Sequence, residues 1–121
     1  TEETHHLVNE SRMRMMPGKK GGINCGNHIV NCARGGIVDE EALLLALDEG
    51  IVTSAALDVF ETEPLPEGYA LLQHENFHGT PHIGAATLEA QHRVGIDIAQ
   101  AVMDGLSGGS PSTIVNSQYL K

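Results

Sequence analysis

The stretch that decides the fold runs from residue 28 to residue 60 and reads HIVNCARGGIVDEEALLLALDEGIVTSAALDVF. It opens on a short strand, His28–Cys32, and passes through a Gly-Gly turn into an apolar helix pattern that Asp39 is suited to cap. A second strand, Ala55–Phe60, follows and is apolar except for Asp58. This order of strand, helix and strand predicts an α/β domain with a mostly parallel sheet.

The sequence on either side adds further segments to this unit. They are a short helix capped by Asn9 and ending at Met16, an irregular Gly-rich segment at 19–28, an extended piece at Phe77–Ile83, a long helix from Thr87 to about Leu106, and a connector after Gly108-Gly109 with one extended piece, Ile114–Asn116. No G-x-G-x-x-G follows a strand, and the strands are too few for a complete doubly wound sheet.

Charge is distributed unevenly along the 121 residues, whose formal net charge is −9. Residues 1–34 carry five basic and three acidic side chains, whereas residues 35–121 carry two basic and 13 acidic ones. This surface argues against nucleic acid or an anionic membrane as a partner, because both require a basic face. It would also repel an anionic substrate unless a cation is aimed at that substrate, and Arg34 is the candidate.

The sequence favours a cytoplasmic protein. Its longest apolar run, Ala42–Leu47, is far too short to span a bilayer, and we find no targeting segment. Cys25 and Cys32 are too few for a disulfide scaffold, so we expect two reduced, part-buried thiols.

Polar side chains follow the predicted strands at one edge of the sheet. In such sheets the ligand lies beyond the carboxyl ends of the strands. The loops there, 33–38, 58–64 and 82–87, carry Arg34, Asp58, Glu63 and His82. An Arg fork binds a carboxylate in two places, an imidazole exchanges a proton near neutral pH, and a neighbouring carboxylate orients that imidazole. Together these groups suit removal of a proton from a hydroxyl next to a carboxylate while a hydride leaves to a cofactor.

Three stretches in this order resemble the signatures of the D-isomer-specific 2-hydroxyacid dehydrogenases. They are NCARGGIVDE at 31–40, ALDVFETEP at 56–64 and TPHIGA at 80–85. Within that family the resemblance is closest to members that oxidise D-3-phosphoglycerate to 3-phosphohydroxypyruvate, the reaction that opens serine biosynthesis.

The resemblance implies a role for each matched residue. Arg34 would hold the carboxylate of a small anionic 2-hydroxy acid, His82 would be the acid/base, and Glu63 would be the partner of His82. NAD would be the cofactor, and the full-length protein would be a homo-oligomer. The implied cofactor contacts are Cys32, Ala33, Arg34, Asp58, His82, Ile83, Gly84 and Ala85.

The resemblance covers only part of the family's architecture. It implies the C-terminal half of a Rossmann-type doubly wound parallel sheet, an incomplete domain. Residues 1–107 would be the back half of the NAD-binding domain, and residues 108–121 a connector toward the following or substrate domain. The sequence lacks the Gly-rich phosphate fingerprint, so we expect no dehydrogenase activity from these residues alone. About seven residues around Gly21–Asn27 look inserted, and His78 stands where the family has an apolar residue.

Two other functions compete with this one. His74-Glu75-Asn76-Phe77-His78 matches the H-E-x-x-H pattern of zinc metalloproteases, and His82 extends the spacing as a third ligand. That pattern requires a helix through both His, which the following Gly79 and Pro81 oppose. For the site we therefore predict no metal. The other alternative is a non-catalytic fragment that associates with partners through its exposed sheet edge and apolar faces.

Overall fold

The computed structural model describes residues 1–110 and residue 114. The chain divides into two compact units, residues 1–84 and residues 85–121. The extended piece predicted at 114–116 lies, apart from Ile114, outside the described residues. The predicted boundary between a cofactor-binding half domain at 1–107 and a connector at 108–121 stays a prediction.

The first unit is built on a parallel sheet of three strands. Its elements are, in chain order, a 3-10 turn at Glu2–Thr4, α1 (Glu10–Arg14), β1 (Lys19–Lys20), β2 (Ile23–Asn24), β3 (His28–Asn31), α2 (Glu40–Asp48), β4 (Ser54–Leu57), α3 (Ala70–Gln73) and β5 (Phe77–Gly79). β4 lies between β3 and β5 and pairs with both in parallel. The predicted α/β class with a parallel sheet is confirmed.

Local sequence explains where α2 begins and ends. The Asp39 side chain accepts a hydrogen bond from the Ala42 N–H at 3.0 Å, which satisfies one of the free amides of the first turn. Gly50, just past the end, has φ +69°, a left-handed conformation that Gly adopts without a Cβ clash. Between them, Leu43 and Leu47 face the core.

The core lies between the helices and one face of the sheet. Its fully buried side chains are Met13, Leu43, Val52, Leu57, Val59 and Leu71. Burial of a side chain of this size contributes about 1.5–3 kcal/mol. Successive residues of β3 alternate, with Ile29 buried and Val30 72% exposed. The buried face of the sheet therefore fixes the strand register and determines which side chains reach the carboxyl edge.

Three local expectations were wrong. The segment at 19–28 contains a hairpin, β1–β2, whose two-residue loop Gly21-Gly22 has φ of +58° and +81°, as a type I′ turn requires. α3 was not predicted, because four residues are too few to show a helical period. Cys25 and Cys32 are free, as expected, but exposed rather than part-buried; Cys32 continues the exposed face of β3, on which His28 and Val30 lie.

The second unit contains one long helix, α4 (Leu88–Leu106). The Thr87 side chain caps it by accepting a hydrogen bond from the Ala90 N–H at 3.1 Å, as predicted. Val94, Ile98 and Val102 recur four residues apart and form an apolar stripe along one side of the helix. In the part of the chain that is described, no helix has the length and apolar character needed to cross a membrane.

Candidate active site

The carboxyl edge of the sheet is formed where β4 and β5 end. The Asp58 N–H donates to the Asn31 carbonyl at 2.9 Å, and the Thr80 N–H donates to the Leu57 carbonyl at 3.0 Å. Because both bonds continue the ladder by one residue, the loops after β4 and β5 leave the sheet side by side. The polar residues at 58–63 and 80–84 therefore meet at one place, as the sequence predicts.

Asp58 accepts hydrogen bonds from three groups of the second loop. Its Oδ1 accepts from the Thr80 hydroxyl at 2.5 Å and from the Ile83 N–H at 2.9 Å, and its Oδ2 accepts from the Gly84 N–H at 2.8 Å. The Thr80 bond, followed by the Ile83 bond, lowers the pKa of Asp58. A Cβ on Gly84 would lie 2.8 Å from Asp58 Oδ2, so the loop can approach the carboxylate only as glycine. Asp58 thus fixes the conformation of the loop that carries His82.

Glu63 and His82 form a hydrogen-bonded pair beside Asp58. His82 Nδ1 lies 2.8 Å from Glu63 Oε2, and Glu63 Oε1 accepts from the Phe60 N–H at 2.9 Å. The His82 bond is the largest cause of a lowered pKa for Glu63, and the Phe60 bond adds to it. In the neutral ring this contact places the proton on Nδ1, which leaves Nε2 with a free lone pair. The arrangement is that of a base oriented by a carboxylate.

The backbone at His82 is held in an unusual conformation. Its φ is +55°, in the left-handed region where non-glycine residues are uncommon. The His82 N–H donates to the Thr80 carbonyl at 3.0 Å, so Pro81 lies at the centre of a tight turn. The three bonds to Asp58 lock this turn, and the imidazole is directed toward Glu63 as a result.

A cavity of about 440 Å³ opens beside the pair. It is lined by Phe60, Glu63, Pro64, Leu65, Pro81 and His82. Its walls are apolar except for the two catalytic candidates, Glu63 and His82. An apolar wall around a few convergent polar groups is typical of small-molecule sites.

Arg34 lies on the neighbouring loop, and its side chain bonds its own loop and not the pair. In the described residues no hydrogen bond or ion pair joins it to Glu63 or His82, and its guanidinium donates to the Ala33 carbonyl at 2.6 Å. The two loops nevertheless touch, because Gly35 lies against the main chain of Phe60. The structure thus brings Asp58, Glu63 and His82 together and leaves Arg34 one loop away.

The predicted cofactor contacts fall into two groups. Ile83 and Gly84 give their N–H groups to Asp58, so these amides are already satisfied within the protein. The turn at Cys32 and Ala33 is exposed, and its shape is set by Asn31, whose side chain bonds the Ala33 N–H at 3.0 Å and the Arg34 carbonyl at 2.9 Å. Ala85 begins the second unit. The roles of these residues stay predictions.

The residues of the H-E-x-x-H match do not share a helix. His74 follows α3, and its Nδ1 accepts from the Asn76 N–H at 3.1 Å, which makes a turn. His78 lies on β5. The zinc-protease hypothesis is wrong for this segment, because Gly79 and Pro81 favour a strand and a turn instead of the helix that would align both imidazoles. Among the described residues no group of three His, Cys, Asp or Glu side chains is placed to hold a metal ion.

Sequence reasoning missed Glu40, Tyr69 and Thr80. Glu40 is 7% exposed, although its position in the first turn of a helix predicts only a solvated acid. No sequence signal pairs it with Tyr69, which lies 29 positions away. Thr80 could have been found, since a hydroxyl one residue after a strand reaches the same edge as Asp58.

A parallel sheet with an acid–base pair at its carboxyl edge defines an α/β domain that binds a small molecule beyond the ends of its strands. Residues 1–84 match the family model for the D-isomer specific 2-hydroxyacid dehydrogenase, NAD binding domain. The chain belongs to this family, and its sheet is part of a Rossmann-type NAD-binding domain.

Similar proteins include a dehydrogenase and a reductase that are named for different compounds. The chain is 49% identical over 117 residues to D-3-phosphoglycerate dehydrogenase 3, chloroplastic, of Arabidopsis thaliana, which covers 97% of this chain and 19% of that protein. It is 45% identical over 121 residues to glyoxylate reductase of Thermofilum pendens, which covers all of this chain and 34% of that protein.

A solved structure has the same fold. The D-isomer specific 2-hydroxyacid dehydrogenase from Xanthobacter autotrophicus Py2, in complex with NADPH and MES, has a TM-score of 0.79 at 34% identity and covers 98% of this chain and 45% of that one. The chain thus spans less than half the length of each of these three proteins.

Proposed function

We propose that this chain contributes the acid–base site of an NAD-dependent dehydrogenase acting on a small D-2-hydroxy acid. The observation that carries the proposal is the 2.8 Å contact between Glu63 Oε2 and His82 Nδ1 at the carboxyl edge of the sheet. Family membership supports a nicotinamide dinucleotide as the cofactor.

Each protein group has a defined task in the proposed reaction. His82 Nε2 accepts the proton of the substrate hydroxyl, and Glu63 stabilises the imidazolium that forms. Arg34, after its side chain leaves the Ala33 carbonyl, binds the substrate carboxylate with its planar fork. The apolar walls around the cavity exclude water from the reacting carbon. The dinucleotide, when bound, supplies the hydride acceptor.

The residues at the carboxyl edge fit such a cofactor. The exposed turn at Cys32 and Ala33 presents main chain without large side chains. We assign the cofactor contacts to this turn, to Asp58 and to the segment 82–85. We place these contacts near the nicotinamide end of the dinucleotide, beside the Glu63–His82 pair.

For the substrate we propose D-3-phosphoglycerate. Identities of 45–55% to several proteins named D-3-phosphoglycerate dehydrogenase support this choice. The glyoxylate reductase at 45% identity keeps glyoxylate as the second candidate. The cytoplasmic location and the homo-oligomer belong to this proposal as well.

An assay of the chain, and of any longer polypeptide in which it occurs, tests the proposal. NAD with D-3-phosphoglycerate is compared with NADH and glyoxylate, and the absorbance of NADH is followed. We expect NADH formation with D-3-phosphoglycerate from a longer polypeptide and none from the 121 residues alone. For the longer polypeptide, turnover of glyoxylate only would contradict the substrate, and turnover of neither compound would contradict the function.

A further inference from the structure

The buried carboxylate of Glu40 lies outside the pair that the proposed reaction uses. Glu40 is in the first turn of α2 and is 7% exposed, although acidic residues in a first helical turn are usually solvated. Burial of a charge is costly unless each oxygen finds a donor. The partners of the two Glu40 oxygens therefore indicate what the residue does.

Both carboxylate oxygens of Glu40 accept a hydrogen bond from the segment between β4 and α3. Oε1 accepts from the Glu61 N–H at 2.7 Å, and Oε2 accepts from the Tyr69 hydroxyl. Burial and the bond to Glu40 raise the pKa of Tyr69 well above its usual range, so the hydroxyl stays a donor. Glu40 thus ties α2 to the loop after β4 and to the residue before α3.

Neighbouring amides of that loop bind two different carboxylates. The Phe60 N–H donates to Glu63, and the next N–H along the chain, that of Glu61, donates to Glu40. Since Glu63 bonds His82, a continuous series of hydrogen bonds and main chain runs from α2 to the imidazole. A shift of residue 61 would displace residue 60 and with it the donor that holds Glu63.

We propose that Glu40 is a positioning residue that holds the Glu63–His82 pair in place through the main chain of residues 60–61. The proposal rests on the proposed function for its catalytic meaning, but the coupling itself is a property of the folded chain. Glu40 acts through Glu63 and contacts neither substrate nor cofactor. Its contribution is to the geometry of the acid–base pair.

Nitrogen-detected NMR of the histidine rings in the 121-residue chain measures this coupling directly. We expect exchange of the His82 Nδ1 proton with solvent to quicken roughly twofold to tenfold in Glu40→Ala, the factor that corresponds to one hydrogen bond of ordinary net strength. Glu41→Ala is the matched control, because Glu41 is an exposed acid of the same helical turn. It should leave the His82 signals unchanged. Glu40→Gln, which keeps an oxygen for the Glu61 N–H, should restore slow exchange.

A double-mutant cycle separates positioning from general loss of stability. If Glu40 acts through Glu63, then Glu40→Ala has no further effect on the His82 ring in a Glu63→Gln background. The same acceleration in both backgrounds would overturn the proposal, as would a folded Glu40→Ala chain with unchanged His82 exchange. If Glu40→Ala does not fold, Glu40→Asp replaces it: the shorter side chain withdraws the carboxylate, and unchanged exchange would again overturn the proposal.

The two proposals fail in different ways. An intact coupling between Glu40 and His82, with no dehydrogenase activity in the longer polypeptide, contradicts the proposed function alone. Dehydrogenase activity with no such coupling contradicts the role of Glu40 alone.

Discussion

At the carboxyl edge of the sheet two carboxylates accept hydrogen bonds from loop amides, whereas at the amino edge Asn27 makes its contacts with neutral groups. Asp58 and Glu63 accept from main-chain N–H groups at the carboxyl edge. At the amino edge the Asn27 N–H donates to the Thr53 hydroxyl at 3.1 Å, and the Asn27 amide donates to the Ile51 carbonyl at 2.8 Å. Neutral groups therefore hold the loop at Asn27, whereas carboxylates hold the loops at the edge where His82 lies.

One histidine from each edge shows the same difference. At the amino edge His28 bonds the Ser54 hydroxyl at 2.8 Å and the Cys25 carbonyl at 3.0 Å, so both ring nitrogens are occupied by neutral groups. At the carboxyl edge His82 faces a carboxylate at one nitrogen and the cavity at the other. Of the two arrangements, only the second pairs an imidazole with a carboxylate beside a cavity that a small molecule can enter.

The largest difference between the two edges is expected from His82→Ala. In a polypeptide active in the NADH assay, loss of the acid/base should lower turnover by roughly 10²–10⁴. His28→Ala is the matched change at the amino edge and should leave turnover unchanged, because His28 bonds only neutral groups far from the cavity. Equal losses from the two substitutions would contradict the assignment of the base to the carboxyl edge.

A smaller effect concerns the backbone contact that joins the Arg34 loop to the Glu63 loop. In Gly35→Ala the new Cβ would lie 1.9 Å from the Phe60 carbonyl oxygen, so the main chain must move. We expect the free energy of unfolding to fall by about 1–3 kcal/mol, as in overpacked sites. Gly95→Ala in α4 meets nothing within 4 Å and should cost nothing, since alanine favours a helix. A denaturant titration in which Gly35→Ala matches Gly95→Ala would show that the loops do not touch.

The smallest expected effect is on the pH dependence of the free energy of unfolding, to which the carboxylates of the carboxyl edge contribute. The pKa values of Asp58 and Glu63 are lowered from 3.8 and 4.5 in the folded state. The unfolded chain therefore binds more protons just below these values, so their contribution is present above about pH 5 and is lost as the pH falls through the lowered values. Asp58→Asn should flatten this decline, measured as the urea midpoint between pH 6 and pH 2.5. Asp48→Asn, at a side chain that is 61% exposed, should not flatten it.

Much of the fold could be predicted because its signals are local. Asp39, the leucines of α2 and Gly50 define a helix within a dozen residues, and Thr87 begins α4 in the same way. α3 could not be predicted, because its four residues are held by tertiary contacts of Leu71 and not by a periodic pattern. The strand predicted at Ala55–Phe60 is also too long. β4 ends at Leu57, because the side chain of Asp58 bonds the loop that follows β5.

The candidate site, like the fold, has features that the sequence predicts and features that depend on the tertiary structure. The order of the strands along the chain and the rule for parallel sheets were enough to expect Asp58, Glu63 and His82 at one edge. The direction of the Arg34 side chain was not predictable, because a long flexible side chain takes its rotamer from its surroundings. The contact of Gly35 with the loop after β4 was not predictable either, since it depends on the path of residues 60–61.

By itself the sequence determined the α/β class, the boundaries of α2 and α4 and the identity of the residues at the carboxyl edge. These follow from hydrophobic period, capping residues and strand order, which act over short distances along the chain. Only the tertiary structure decided that Glu63 bonds His82, that Asp58 holds the turn at His82, and that Glu40 reaches residue 61. The physical reason is that hydrogen bonds require atoms within about 3 Å, and segments 19 to 25 positions apart reach that distance only when the core has packed.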